Sequence, residues 1–208
     1  MQPEVIKFGE GIGVHLYREW LEDPDRLMRE AEKLSFSAET VTMYGRANVI
    51  RRRTVDYGLT YGYNASAEAS IAWEPLALTL KQRLEQQFML DLQQCACNEY
   101  ADELAYIGPH HDKATIVGDE RREPLYIASV SLGAMRRMVL TPPGASLKGV
   151  TITVNGLMKV SGSRIIELPP GSLVLFTNAF NRTWKHSIPM DAKGNVSGKR
   201  ISLTFRQF

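Results

Sequence analysis

The second half of the chain is a series of short strand-like segments, and this pattern limits the possible folds more than any other feature. From Gln93 onward, runs with alternating apolar and polar residues are separated by Gly, Pro, Asn and Asp, which favour turns. The segments are CACNEY, YIASVSL, MRRMVLT, VTITVN, SRIIEL, SLVLFT, HSIPM and RISLTFRQF. About eight short strands with few helices predict a jelly roll or a similar sandwich of two sheets.

Helical signals are confined to the first half. Asp23 is a suitable N-cap and Pro24 a suitable first helical residue for the segment DRLMREAEKL. A second helix is predicted from about Trp73 to Phe88, where apolar residues recur every four positions. Between them, residues 43–70 are rich in Gly, Tyr and Arg and have no helical stripe, so we expect short strands and loops there.

The bulk properties are those of one soluble domain. The chain has 208 residues, a net charge of +2 and 44% hydrophobic residues, without a linker that would divide it. No apolar run approaches the roughly 20 residues needed to span a bilayer, and the N-terminus lacks a secretory signal. We expect a monomer without membrane contact, in the cytoplasm or, in a eukaryote, the nucleus. Cys95 and Cys97 are expected to be reduced core thiols.

Three of the four histidines belong to a candidate metal site. His110 and Asp112 are two residues apart, so in an extended backbone both side chains project to the same side. His186 lies in a later strand-like segment that can run beside the first one in a sandwich. Two histidines and one carboxylate form the facial triad of non-haem Fe(II) oxygenases, which leaves positions open for other ligands. An ordinary surface loop is the alternative interpretation of the segment that contains His110 and Asp112. His111 is the competing metal ligand, although its side chain should point to the opposite side from those of its neighbours.

The C-terminal segment RISLTFR adds a candidate anion site. Ile201, Leu203 and Phe205 face one side of a strand, and the polar residues between them face the other. A half-buried strand rarely carries Arg at both ends of one face, here Arg200 and Arg206, without anionic partners. A dicarboxylic co-substrate would supply them, because a guanidinium pairs with a carboxylate through two parallel hydrogen bonds.

Taken in order, these segments resemble the AlkB family of Fe(II)/2-oxoglutarate dioxygenases. The resemblance rests on the CNEY, IGPHHDK, IASVSLGAMRR, GSLVLF, WKHSIP and RISLTFR segments, preceded by YGLTYGY, and spans about residues 45–208. It implies an α+β fold, namely a double-stranded β-helix (jelly-roll) core at residues 93–208. The N-terminal helices and a nucleotide-recognition lid would occupy residues 1–92 of the same domain.

The resemblance also implies the ligands of the site. His110, Asp112 and His186 would hold Fe(II), and O2 would be the oxidant. Arg200 would pair with the distal carboxylate of 2-oxoglutarate, and Arg206 would lie near its 1-carboxylate or the substrate. The remaining 2-oxoglutarate contacts would be Asn98, Tyr100 and Ser202, where Ser202 replaces a more usual Asn.

The substrates that the resemblance implies are methylated bases in DNA or RNA, flipped out of the stack and oxidatively demethylated. The substrate-binding residues would be Tyr57, Tyr61, Tyr63, Arg53 and Ala114. The tyrosines could stack on a base, although a sheet-packing role is equally compatible with the sequence. Ala114 stands where the family often has a second acid. A related oxygenase acting on a protein side chain, lipid or small metabolite therefore stays open, as does a non-catalytic binding module.

Overall fold

The computed structural model describes residues 2–43, 46–59, 70–117, 120–145, 151–152, 158–159, 162–191 and 198–208. The strands are β1 (Glu4–Gly9), β2 (Ile12–Tyr17), β3 (Ser37–Met43), β4 (Arg46–Leu59), β5 (Ser70–Ile71), β6 (Gln94–Tyr100), β7 (Ile107–His110), β8 (Thr115–Val117), β9 (Glu120–Arg122), β10 (Tyr126–Gly133), β11 (Arg136–Thr141), β12 (Thr151–Ile152), β13 (Met158–Lys159), β14 (Arg164–Leu168), β15 (Leu173–Thr177), β16 (Lys185–Ile188) and β17 (Arg200–Gln207). The helices are α1 (Pro24–Ala31), α2 (Pro75–Phe88) and α3 (Asn178–Thr183).

Two antiparallel sheets form the body of the fold. The major sheet has nine described strands in the order β1-β2-β15-β10-β17-β6-β4-β3, with β5 paired to β4. The minor sheet has the order β14-β11-β16-β7. Mostly antiparallel structure with few helices is consistent with the predicted jelly-roll core. None of the helices in the described ranges is long and apolar enough to cross a membrane.

Apolar side chains fill two separate layers. The inner layer lies between the sheets, where Ile127 and Val174 of the major sheet share a cluster with Met138 and Leu140 of the minor sheet. The outer layer lies on the other face of the major sheet, where α1 and α2 cover it; there Leu80 of α2 shares a cluster with other buried residues. Because neighbouring strand residues point to opposite faces, each central strand supplies side chains to both layers.

The two predicted helices in the first half are confirmed. Asp23 caps α1 through its side chain, which accepts a hydrogen bond of 3.1 Å from the Arg26 N–H. The second helix, α2, starts at Pro75, two residues after the predicted start. The structure also contains α3 in the second half, where no helix was predicted, because six residues are too few to give a recognisable periodicity.

The division at residue 93 is not a boundary of the sheet. Strands β1 to β5 precede it, and all five belong to the major sheet. Instead of short strands, residues 46–59 form the single long strand β4, which pairs with β6 along six residues. The described residues before position 93 thus contribute five strands to the major sheet as well as two helices.

Two smaller features are the cysteines and a short strand pair outside the two sheets. As expected, Cys95 and Cys97 are buried free thiols, with their sulfurs 3.6 Å apart. Strands β12 and β13 pair antiparallel, with Ile152 opposite Met158. Between them, Asn155 and Gly156 form a sequence typical of a two-residue hairpin turn, and they lie outside the described residues.

Candidate active site

Two neighbouring strands of the minor sheet bring the predicted metal ligands together. Strand β7 pairs with β16, and His110 lies directly opposite His186. Asp112 follows two residues after His110. The Asp112 Oδ1 atom lies 3.5 Å from the Nε2 atom of each histidine. One ligand atom from each of the three residues lies within 4.8 Å of the others, and no other group of three such side chains occurs in the described ranges.

Hydrogen bonding prepares His110 for a metal. Its Nδ1 atom lies 2.8 Å from the carbonyl oxygen of Gly108. A carbonyl oxygen can only accept, so Nδ1 carries the proton and the lone pair of Nε2 is free. That lone pair is on the side of Asp112, as a ligand atom must be. This donor set of two imidazoles and one carboxylate fits Fe(II) with open positions.

The electrostatics of the cluster keep the ligands in their metal-binding forms. Burial alone raises the pKa of the Asp112 carboxyl, but Arg206 and the two imidazoles outweigh it and hold that pKa well below its usual value. Burial lowers the pKa of His186, and the nearby His110 lowers it further, against the opposing effect of Asp112. A carboxylate and a neutral imidazole are therefore the favoured forms near neutral pH.

Arg206 connects the metal cluster to the major sheet. Its Nε donates to Asp112 Oδ2 over 3.0 Å, and its Nη1 donates to Gln94 Oε1 over 3.1 Å. Gln94 in turn donates to the carbonyl oxygen of Leu59 over 2.8 Å. The Arg206 guanidinium thus contacts the Asp112 carboxylate directly, and its expected place near the 1-carboxylate of 2-oxoglutarate or the substrate stays a prediction.

The sequence interpretation missed Asn181. This residue of α3 is buried, and its side-chain amide makes two hydrogen bonds to the main chain of Asp112. The Asp112 N–H donates to Asn181 Oδ1 over 2.8 Å, and Asn181 Nδ2 donates to the Asp112 carbonyl oxygen over 3.0 Å. His111 donates from Nδ1 to the main-chain carbonyl oxygen of Asn181, which agrees with a supporting role. A single Asn 69 residues away gives no sequence signal for such a contact.

The inner face of β17 places the predicted co-substrate residues in one row. Arg200, Ser202 and Arg206 are all buried on this face. In the register with β6, Arg200 lies opposite Tyr100, and Ser202 lies opposite Asn98. The five residues expected to contact 2-oxoglutarate are therefore on two adjacent strands, in a row that leads away from the metal ligands.

Arg200 is a buried cation with unused hydrogen-bond donors. Its Nη2 donates to Ser131 Oγ over 2.9 Å, and its guanidinium carbon lies 5.1 Å from the centre of the Tyr100 ring. Its Nε and Nη1 are buried without a hydrogen-bond partner among the described residues. Burial lowers the pKa of Arg200 to about 10. Because unpaired buried donors are rare in folded proteins, the guanidinium fits an anionic ligand such as the distal carboxylate of 2-oxoglutarate.

Two of the residues expected to bind substrate have structural roles. Tyr57 is buried in the outer layer beneath α2, and Cys95, its neighbour on β6, belongs to the same layer. Strand alternation thus points Tyr57 away from the inner face, so the packing interpretation replaces stacking on a base. Arg53 points to the same side, where it forms an ion pair with the buried Glu99. The assignment of Tyr57 to the substrate is therefore corrected, whereas that of Arg53, whose side chain is 48% exposed, stays a prediction.

The remaining substrate expectations have different outcomes. Ala114 is half-buried in the segment between Asp112 and β8, and its methyl group offers no hydrogen bond. Tyr61 and Tyr63 lie outside the described residues. The described part of the expected lid is the end of β4 together with β5, which pair through Gly58 and Ile71.

Comparisons with known proteins agree with this site. The family model of the 2OG-Fe(II) oxygenase superfamily matches residues 14–206. The chain is 27% identical over 207 residues to the bovine protein named DNA oxidative demethylase ALKBH2, covering 97% of this chain and 66% of the relative. It is 31% identical over 159 residues to human alpha-ketoglutarate-dependent dioxygenase alkB homolog 3, covering 74% of this chain and 51% of the relative. The chain thus spans about two thirds and half of these relatives.

Solved structures show the same fold. The structure described as that of OsALKBH1 superimposes with a TM-score of 0.57 at 16% identity, over 99% of this chain and 100% of the other. An oxidoreductase of the 2OG-Fe(II) oxygenase family from Burkholderia pseudomallei gives a TM-score of 0.56 at 12% identity, over 93% of this chain and 84% of the other. At these identities the likeness supports the architecture of the fold alone.

Proposed function

Because the chain belongs to the AlkB family of the 2OG-Fe(II) oxygenase superfamily, we propose that it oxidatively removes N-alkyl groups from nucleobases in DNA or RNA. The chain is an oxidoreductase that depends on Fe(II), 2-oxoglutarate and O2. The observation that carries the proposal is the metal triad at one end of a row of residues that ends at a buried guanidinium with two unused donors. The substrate class is supported by the ALKBH2 relatives, which are named DNA oxidative demethylases.

In this proposal, His110, Asp112 and His186 hold Fe(II). Iron held there would supply the oxidation chemistry, in which O2 and 2-oxoglutarate would be consumed, succinate and CO2 formed, and the hydroxylated N-alkyl group released as an aldehyde. Asn181 fixes the main chain of Asp112, and Arg206 fixes its carboxylate. These contacts orient the ligands before the metal arrives, which preserves the geometry that the chemistry needs.

The co-substrate occupies the row on β17 and β6. Arg200 holds the distal carboxylate of 2-oxoglutarate through its guanidinium donors, beside Tyr100. Asn98 and Ser202 contact the middle of the molecule, and Arg206 lies near the 1-carboxylate. The row is closed to water at Arg200, which is 1% exposed, and this exclusion strengthens each charged hydrogen bond.

The alkylated base enters from the opposite end, beside His110, which is the most exposed of the three ligands. Tyr61 and Tyr63, in the segment that follows β4, stack on the flipped base and form the nucleotide-recognition lid. Ala114 borders the base without a polar contact. The protein acts as a monomer in the cytoplasm or the nucleus.

The test is a panel of DNA and RNA oligonucleotides that carry N-methylated bases. With Fe(II), ascorbate and 2-oxoglutarate, we expect formaldehyde release and a mass loss equal to one CH2 group. Asp112→Ala and His186→Ala should abolish both, whereas His15→Ala is the matched control, because His15 is exposed on β2. If the wild-type protein converts 2-oxoglutarate but demethylates no base in the panel, the nucleobase proposal is wrong.

Ala114 favours a second candidate function, namely oxidation of a protein side chain, lipid or small metabolite by the same iron site. Without an acid at this position, the pocket lacks an acceptor for an exocyclic amino group. Salt-dependent binding to unmodified oligonucleotides separates the two candidates. A steep decrease in affinity with salt supports a nucleic-acid substrate, and the absence of binding at low salt supports the second candidate.

A further inference from the structure

Arg136 is a second buried cation at the same end of the co-substrate pocket. It lies on β11 of the minor sheet and is 2% exposed. Its guanidinium donates to three carbonyl oxygens, those of Asp102 at 3.1 Å, Ala105 at 2.8 Å and Pro189 at 2.7 Å. None of the ion pairs found in the described part of the chain includes Arg136. The hydrogen bonds are thus satisfied, and the carboxylates of Asp102, Glu103 and Asp191 offset only part of the charge from a longer distance, since Arg136 still lowers the pKa of Arg200.

The two buried guanidinium groups meet at Tyr100. The guanidinium carbon of Arg136 lies 5.5 Å from the centre of the Tyr100 ring, and that of Arg200 lies 5.1 Å from it. Arg200 reaches the ring from β17 of the major sheet, whereas Arg136 reaches it from the minor sheet. The aromatic face attracts both cations, so the ring is held from both sheets.

Arg136 also joins separate segments of chain. Asp102 and Ala105 belong to the connection between β6 and β7, which leads to the metal ligand His110, and Pro189 follows β16, which carries His186. The guanidinium therefore ties the far ends of both metal-binding strands to β11. Truncation of this side chain would leave three carbonyl oxygens without their donors and Tyr100 without one of its two supports.

We propose that Arg136 is a positioning residue of the co-substrate pocket and makes it selective for a co-substrate with a second, distal carboxylate. The proposal rests on the binding of 2-oxoglutarate against Arg200 described above. Arg136 does not touch the co-substrate; it holds Tyr100 and contributes a positive potential to the closed end. A unit charge roughly 8 Å from the distal carboxylate, at an effective dielectric constant of about 20, changes affinity roughly 30-fold.

Two properties of Arg136 can be separated by substitution. Arg136→Lys keeps the charge but cannot make all three hydrogen bonds, because an ammonium group lacks the planar fork. Arg136→Gln keeps an N–H2 donor and removes the charge. The matched control is Arg137→Gln, since Arg137 is the next residue of β11, faces outward and lies 3.6 Å from Glu167. Arg137→Gln therefore removes one positive charge from the same strand, but on the opposite face of the sheet.

The measurement is the dissociation constant of two co-substrates for the Mn(II)-loaded protein, by calorimetry. The probes are 2-oxoglutarate and 2-oxopentanoate, in which a methyl group replaces the distal carboxylate. For Arg136→Gln we expect a roughly 10- to 30-fold loss of 2-oxoglutarate affinity and a change below about threefold for 2-oxopentanoate. Arg136→Lys should retain the preference of the wild type within about threefold, and Arg137→Gln should match the wild type for both probes.

The outcomes separate the possible roles. If Arg136→Gln and Arg136→Lys weaken both probes equally, Arg136 is only part of the scaffold and the selectivity proposal is overturned; an unchanged Arg136→Gln overturns it too. If Arg136→Gln does not fold, Arg136→Lys decides the question. A folded Arg136→Lys protein that has lost the preference for 2-oxoglutarate refutes the charge effect. A folded Arg136→Lys protein that keeps this preference supports the charge effect. Failure of the wild type to bind 2-oxoglutarate would instead refute the co-substrate site at Arg200.

Discussion

Replacement of Arg200 by Met tests the co-substrate site through two quantities that should change in opposite directions. Met has a similar length and can fill the same space beside Tyr100, but it carries neither charge nor donors. If Arg200 is kept for a bound carboxylate rather than for folding, the variant should lose 2-oxoglutarate affinity without losing stability. A residue that served the fold would lose both together.

The magnitudes follow from the environment of the guanidinium. Two charge-assisted hydrogen bonds from the guanidinium to the carboxylate contribute about 1.5–3 kcal/mol each. Their loss should raise the dissociation constant roughly 10²- to 10⁴-fold. In the free protein, burial lowers the pKa of Arg200 from its usual value to about 10, equivalent to a cost of about 3 kcal/mol. Arg200→Met removes this cost but also loses the hydrogen bond to Ser131, which contributes about 1 kcal/mol. The free energy of unfolding of Arg200→Met should therefore be higher by about 2 kcal/mol.

Calorimetry of the Mn(II)-loaded protein with 2-oxoglutarate measures the affinity, and thermal unfolding of the metal-free protein measures the stability. The expected gain corresponds to a Tm increase of about 4–8 °C for a chain of this size. Arg18→Met is the control, because Arg18 forms an exposed ion pair with Glu4 that should contribute little. A variant that keeps its affinity within threefold, or one whose Tm falls together with its affinity, would refute the reasoning.

Further predictions concern three positions. Asn181→Leu should lower Mn(II) affinity about 10- to 100-fold, because it leaves the Asp112 main chain without its two hydrogen bonds; an unchanged titration would contradict this. Gly58→Ala should destabilise by about 3 kcal/mol or more in urea unfolding, since Gly58 has φ +72° and an added Cβ would lie 2.2 Å from the Gln93 carbonyl oxygen. Above about pH 10 the folded chain begins to lose the Arg200 proton while the unfolded chain still binds it, because burial lowers this pKa. Wild-type stability should therefore rise relative to Arg200→Met as the pH rises through about 10, and a pH-independent difference would argue against burial of the charge.

The parts of the site that could be predicted from the sequence are those fixed by strand alternation. The two-residue spacing of His110 and Asp112, and the Arg residues at both ends of one face of β17, determine side-chain direction before any tertiary structure is known. Asn181 and Arg136 could not be predicted, because each acts through main-chain atoms of distant segments, and any residue type can supply those atoms. Tyr57 was misassigned because its aromatic character is equally suited to packing beneath α2.

The alternation of β17 also explains why the co-substrate residues and the fold depend on each other. Ile201, Leu203 and Phe205 belong to the outer layer covered by the helices, which forces Arg200 and Arg206 onto the inner face. A slip of one residue in the register would bury both guanidinium groups in the outer apolar layer, at a cost that the sheet cannot offset. No comparable constraint applies to Ala114, which lies in a connection between strands. The proposed iron and 2-oxoglutarate contacts are therefore tied to the register of the sheet, whereas the expected substrate contact at Ala114 lies in a connecting segment whose residues can change without disturbing that register.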